Sequence, residues 1–311
     1  DYPLLRELWW MPPATTGKAR WVILPKDEAT TGSEPVVYHV GGMMSYTAGG
    51  VPSVARLLPG PVRVFPNARL RLRYFHDRDV FSDDPFTDVI EPSVPFSLAV
   101  LVENVGRGVA RNFRITSAQP KIVDNEKGLL IDFQIIASEV AGQNTTPSLT
   151  INFGDVGPAS TVLGRWLLTS TLQGLFVDYQ ATFEHEDSLG GRATSLIEEV
   201  TIHEMIRLVH AGGPFADGRP DFLVNDIPDP DDRPDTLWLS DGTTQPVTAV
   251  EQATVDAPPG AGHLQVQLTA PLPAGWVYLR VPEPGDGQFI LRRIVRADGQ
   301  EIALGTNAWT T

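Results

Sequence analysis

The sequence predicts an all-β protein built of tandem β-sandwiches, and three observations carry that prediction. Its 28 glycines and 27 prolines fall between short runs rich in Val, Thr, Leu and Phe and follow no collagen period, which is the punctuation of many short strands. Within those runs apolar residues return at every second position, the period of a half-buried strand. At 311 residues the chain exceeds one ordinary sandwich and suits two or three domains, each with its own core.

Residues 1–66 read as an N-terminal β domain. Leu8-Trp9-Trp10-Met11, Ala19 to Leu24, Val36 to Val40 and Met43 to Tyr46 are its strand candidates, with a hairpin at Gly49-Gly50. Four or five strands make an incomplete sandwich, which a strand from upstream sequence or a neighbouring subunit would complete. Pro66 marks the boundary, since proline donates nothing to a ladder.

Residues 67–210 form the central domain. Leu70, Leu72 and Tyr74 share one face of a strand while Arg69, Arg71 and Arg73 take the other, read as solvated. Phe96, Leu98, Val100 and Val102 alternate with Ser97, Ala99 and Leu101 until Asn104, where the Gly106/Gly108 turn begins, and this stretch is the centre of the prediction. Strands follow at 109–115, 129–136, 149–153, 161–168 and 176–185. Val200, Ile202, Glu204, Ile206 and Leu208 share one parity, so 195–210 reads mostly as strand. Residues 211–235 turn to Gly, Pro and Asp and read as a linker. Residues 236–311 then read as a C-terminal sandwich, with hairpin turns at Asp241-Gly242 and Asp298-Gly299. A start at Asp1 and strand-like composition up to Trp309-Thr310-Thr311 lead us to expect a processed piece or fragment of a longer protein.

The run from Ser97 to Ala110, SLAVLVENVGRGVA, resembles the V-x-N-x-G-x-G-x-A core of bacterial immunoglobulin-like adhesion modules of the CARDB type. The likeness covers residues 94–116, and the long segment from Pro120 to Asp155 departs from the compact family pattern. It implies immunoglobulin-like sandwiches of a large secreted surface protein, used as spacers or adhesive repeats, and it brings no catalytic residues. Asp217-Gly218-Arg219-Pro220-Asp221 resembles the D-G-x-P-D unit of thrombospondin type 3 calcium repeats, with Phe215 and Ala216 where that pattern has acids.

Charge and composition exclude several classes. A net charge of −14 argues against nucleic acid, whose phosphates require clustered Lys and Arg. The absence of cysteine removes disulfides, thiolate chemistry and Cys-based zinc sites. No apolar run reaches the length that spans a bilayer, so no membrane insertion is expected.

Two acidic stretches have the chemistry of calcium, which takes six to eight oxygen ligands in flexible geometry. One holds Asp77, Asp79, Asp83, Asp84, Asp88 and Glu91. The other comprises Asp217 and Asp221 followed by Asp226, Asp229, Asp231, Asp232 and Asp235, interleaved with Pro228, Pro230 and Pro234. A solvated loop with turn-capping aspartates is the plainer reading of the first, and a proline-stiffened spacer that of the second. His203-Glu204 is followed by His210 seven residues on, not four, which misses the zinc-protease helix motif. Glu184 to Asp187 read as the charged end of a strand in preference to a hydrolytic carboxylate pair. Trp238, Trp276 and Trp309 suit either a core or a sugar platform. Trp9 and Trp10, adjacent on a strand, face opposite ways, so one of them requires a second surface, read as a subunit contact. Asn144-Thr145-Thr146 is a glycosylation sequon.

Together these features lead to the expectation of a non-enzymatic extracellular protein that self-associates. A carbohydrate-binding or accessory module of a secreted hydrolase is the alternative.

Overall fold

The computed structural model describes residues 16, 22–116, 132–175, 196–227, 233–256, 266–285 and 287–310. The expected strands at 8–11 and 176–185 lie outside them. Among the described residues the chain is all-β, with two short 3-10 turns and no α-helix. It divides into two compact units, Asp1–Pro66 and Asn67–Thr311.

Among its described residues the first unit forms a two-stranded ribbon. β1 (Val36–Val40) pairs antiparallel with β4 (Gly60–Val64), and β2 (Met43–Ala48) pairs antiparallel with β3 (Val51–Arg56). The two pairs follow one another along a single hairpin whose tip is Gly49-Gly50, both at positive φ (56° and 79°), a conformation that glycine adopts without a Cβ penalty.

The second unit is organised on a ten-stranded sheet. Its strands in chain order are β5 (Leu70–Asp77), β7 (Phe96–Asn104), β9 (Phe133–Val140), β10 (Gln143–Thr145), β12 (Ser160–Ser170), β14 (Ile197–Val209), β15 (Asp221–Asn225), β16 (Thr236–Trp238), β17 (Thr244–Val250) and β20 (Trp276–Leu279). Across the sheet they run β10-β9-β12-β7-β5-β14-β15-β16-β17-β20. All neighbours are antiparallel except β5 with β14 and β17 with β20. Six short strands stand outside it: β6 (Asp79–Val80), β8 (Ala110–Ile115), β11 (Ile151–Val156), β13 (Gly174–Leu175) and the pair β18 (Thr254–Asp256) with β19 (Gln267–Thr269). A last hairpin joins β21 (Ile294–Val295) to β22 (Glu301–Ile302).

β7 is buried on both faces, and its alternation assigns each residue to a core. Phe96, Leu98, Val100 and Val102 join Leu70, Leu72, Tyr74, Trp166 and Leu168 under the β8/β11 pair, which contributes Ala110, Ile115, Ile151, Phe153 and Val156. Ala99 and Leu101 enter a second core on the opposite face with Phe75, Leu163, Met205, Phe222 and Val224. Each fully buried Leu or Val stabilises the fold by about 1.5–3 kcal/mol, so this strand dominates the packing energy. Gly164 admits the Phe153 ring, which would lie 2.7 Å from a Cβ at that position.

The end of β7 explains the Asn-x-Gly pattern. Asn104 is fully buried; its Nδ2 donates to Gly108 O (2.8 Å) and Val156 O (2.9 Å). Its Oδ1 accepts from Gly106 N (3.0 Å) and Arg69 N (3.2 Å). One side chain thus ties β7, its turn, the start of β5 and the end of β11. Gly106 lies so close to the 67–69 backbone that a Cβ would sit 2.3 Å from Arg69 N, and only glycine fits there.

Two expectations are corrected. The stretch 211–235, read as a linker, contains β15, hydrogen-bonded to β14 on one side and β16 on the other. Phe222, Leu223 and Val224 are 0–7% exposed, and burying this apolar triplet outweighs the surrounding Pro and Asp punctuation. The C-terminal strands β16, β17 and β20 therefore extend the central sheet, and residues 67–311 form one unit. The three arginines at and just before β5 are not simply solvated: Arg73 meets Glu103 at 2.6 Å, Arg71 meets Glu199 at 3.4 Å, and Arg69 pairs with Glu198.

The sheet also curls. β12 and β16 are five strands apart, about 24 Å along a flat sheet. Yet Thr161 Oγ1 of β12 donates to Asp241 O, in the turn after β16, at 3.2 Å, and Gly242 beside it packs against Leu101.

Candidate functional site

Inside that curl the second core ends in a polar and aromatic cluster. Parity sets its membership: Thr201, His203 and Met205 share one face of β14, beside Arg73 and Phe75 of the parallel β5. Phe75 stacks on Phe222 with centroids 4.0 Å apart and on His203 at 5.1 Å, while Trp238 stands beside both, 4.8 Å from the imidazole and edge-on to Phe75 at 5.9 Å. The Arg73 guanidinium lies 5.0 Å over the Trp238 ring, a cation–π contact held by its ion pair with Glu103.

Asp226, just past the end of β15, organises the polar atoms. Its Oδ1 meets His203 Nδ1 at 2.7 Å and its Oδ2 accepts from Trp238 Nε1 at 2.8 Å. His203 Nε2 lies 3.0 Å from Thr201 Oγ1. Burial opposes ionisation of Asp226, but the bonds from His203 and Trp238 outweigh it and hold the carboxyl below its ordinary range. With the carboxylate ionised, the Nδ1 bond has its hydrogen on the imidazole, and Nε2 and the threonine hydroxyl share a second bond. The order hydroxyl, imidazole, carboxylate is that of an activated nucleophile. Here the hydroxyl and the imidazole are two residues apart on one strand, and aromatic carbon faces flank the ring. The bonds orient the imidazole and clamp β14, β15 and β16 together.

The sequence placed His203, Asp226 and Trp238 under three separate readings: a failed protease motif, a calcium ligand and a sugar platform. The structure brings them into one cluster. The available signal was the shared parity of Thr201 and His203, together with an acid directly after an apolar strand.

The expected calcium ligands are distributed differently. Asp77 ends β5 partly buried, its Oδ2 accepting from Ser97 N at 2.6 Å. Desolvation raises its carboxyl to about 7 against the pull of that bond and of Arg207. Asp79 pairs with Arg78 at 3.4 Å. Asp83 accepts from Glu91 N (3.1 Å) and Asp84 from Phe86 N (2.9 Å), as turn-capping aspartates do. Asp221 is 2% exposed and accepts from Ala211 N (2.6 Å) and Ser240 N (2.9 Å); burial raises its carboxyl. Asp217 accepts from Arg219 N and Ser240 Oγ; these bonds outweigh its partial desolvation and lower it. Asp229, Asp231, Asp232, Trp9, Trp10 and Glu184 to Asp187 lie outside the described residues. Among the described residues no three His, Cys, Asp or Glu side chains gather as a metal site.

Trp276 packs with Leu237 and Leu239. Trp309 lies against Tyr278 and under Arg207, whose guanidinium is 5.3 Å from its ring. Asn144 is exposed on β10, at the edge of the large sheet. No helix among the described residues is long and apolar enough to cross a membrane. No family model, curated protein or solved structure matches the chain.

Proposed function

We propose that this chain is a non-enzymatic structural or adhesive protein of the cell exterior, a surface-layer, filament or stalk subunit. It is built of immunoglobulin-like β-sandwich modules and self-associates. The observation that carries the reading is the ribbon of the first unit. Met43 is 73% exposed, Val51 and Val54 62% each and Leu58 95%, and a lone two-stranded hairpin is marginal in water. Such a ribbon gains stability by covering its apolar side chains on another molecule. Calcium bound by the acidic stretches would tune the assembly.

Light scattering and negative-stain electron microscopy of the purified chain, with calcium and with chelator, test the reading. Filaments or sheets are the expected result, and their loss on chelation assigns the acidic stretches to calcium. A monomer at every concentration, with or without calcium, overturns it.

A further inference from the structure

The ribbon of residues 36–64 is unusual in having apolar side chains on both faces. Cross-strand register puts Met43 and Val54 on one face of its outer half and Met44, Tyr46 and Val51 on the other, all exposed. Its charges are equally one-sided. The ribbon carries Arg56 and Arg63 and no acidic residue, in a chain whose net charge is −14.

The second unit presents a surface of the opposite sign and the same apolar character. In the loop of residues 79–94, Phe81, Phe86, Val89 and Ile90 are 50%, 69%, 68% and 86% exposed. They stand among Asp79, Asp83, Asp84, Asp88 and Glu91. The loop is firmly built: Val94 N donates to Phe81 O (2.9 Å), Asp84 N to Glu91 Oε2 (3.1 Å) and Thr87 Oγ1 to Glu91 Oε1 (3.0 Å). Internal bonds that hold the carboxylates also hold the apolar side chains outward.

We infer that the ribbon of one copy docks on the 79–94 loop of a second copy. Apolar side chains of the ribbon meet Phe86, Val89 and Ile90, and its arginines meet the loop carboxylates. The inference rests on the self-association proposed above and names its contact. The two surfaces differ, so the contact is heterologous: each copy offers a ribbon to one neighbour and a loop to another, and its repetition closes a ring or extends a filament. Opposite charge sets the register and speeds encounter, while the apolar side chains supply the burial.

The chain has no cysteine, so single cysteines report the contact cleanly. Leu58→Cys and Ile90→Cys chains, each at a highly exposed position, are mixed and oxidised, and sedimentation follows the parent chain and the charge variants. A disulfide between Leu58→Cys and Ile90→Cys chains, in excess over either homodimer, is expected. Arg56→Glu/Arg63→Glu weakens association by roughly tenfold or more, and high salt weakens the parent in the same sense. Mixing that variant with Asp88→Arg restores association. Association that persists in Arg56→Glu/Arg63→Glu, without the mixed disulfide, overturns the docking while leaving self-association standing. A parent chain that stays monomeric overturns both.

Discussion

The ribbon at residues 36–64 and strand β7 are written in the same local code and meet opposite fates. Both are short extended runs rich in apolar residues, broken by Gly-Gly or Gly-x-Gly turns. In β7 the residues from Leu98 to Val102 are 0% exposed, whereas Leu58 of the ribbon is 95% exposed. Alternation announces a strand with two faces and says nothing of what covers them. β7 is covered because β5 and β12 flank it, β8 and β11 close one face, and the curl of its own sheet closes the other.

Substitutions separate the two regions by size of effect. Leu98→Ala empties a well-packed site and should cost about 3–4 kcal/mol in urea denaturation, because the flanking strands leave little room to collapse. Asn104→Ala strands two carbonyls and two N–H groups at once, and an expected loss of about 2–3 kcal/mol by the same measurement tests the asparagine tie.

A smaller effect comes from the neighbours His76 and Asp77. Burial lowers His76 from 6.5 to about 4 and raises Asp77 from 3.8 to about 7. Between about pH 4 and 6.5 the folded pair holds its one proton on Asp77. The unfolded pair holds its one proton on the histidine. Proton counts match, so the pair adds no slope of stability with pH in that window. Asp77→Asn leaves His76 alone: an unfolded chain that binds a proton the folded one refuses makes stability rise with pH across the window. His76→Leu leaves Asp77 alone and makes stability fall as pH rises from about 4 to about 7. Relative to the parent, each slope is at most about 1.4 kcal/mol per pH unit, and a urea series over pH checks both signs.

Asp226→Asn should cost about 1 kcal/mol at pH 7, by weakening the bonds to His203 and Trp238. The penalty should vanish in acid, because a carboxyl held below its ordinary range contributes stability above its unfolded value and loses it as pH falls through the folded one. Leu58→Ala should change the unfolding free energy of the monomer by less than about 0.5 kcal/mol. A larger loss under monomeric conditions would mean that the ribbon is already covered within its own chain.

Much of the strand order along the chain was legible because it is local. The faces of β7, the turn after Asn104 and the long β14 were all readable from period and punctuation. The strand at Asp221–Asn225 escaped notice, since three apolar residues between prolines and aspartates make too short a signal to outweigh their surroundings. The cluster of His203, Asp226 and Trp238 escaped for another reason: its members come from two strands and the residue that follows a third, and no spacing in the chain records their approach.

By itself the sequence determined the β character of the chain, which residues of each strand share a face, and where glycine and asparagine must turn it. These depend on the two-residue period of an extended backbone and on local hydrogen bonds. Only the tertiary structure decided that β14 runs parallel beside β5, that the C-terminal strands extend the central sheet, and that the ribbon keeps its apolar side chains in solvent. Strand pairing joins residues far apart along the chain, and it is the burial of whole faces, not the pattern within any one strand, that chooses among the pairings.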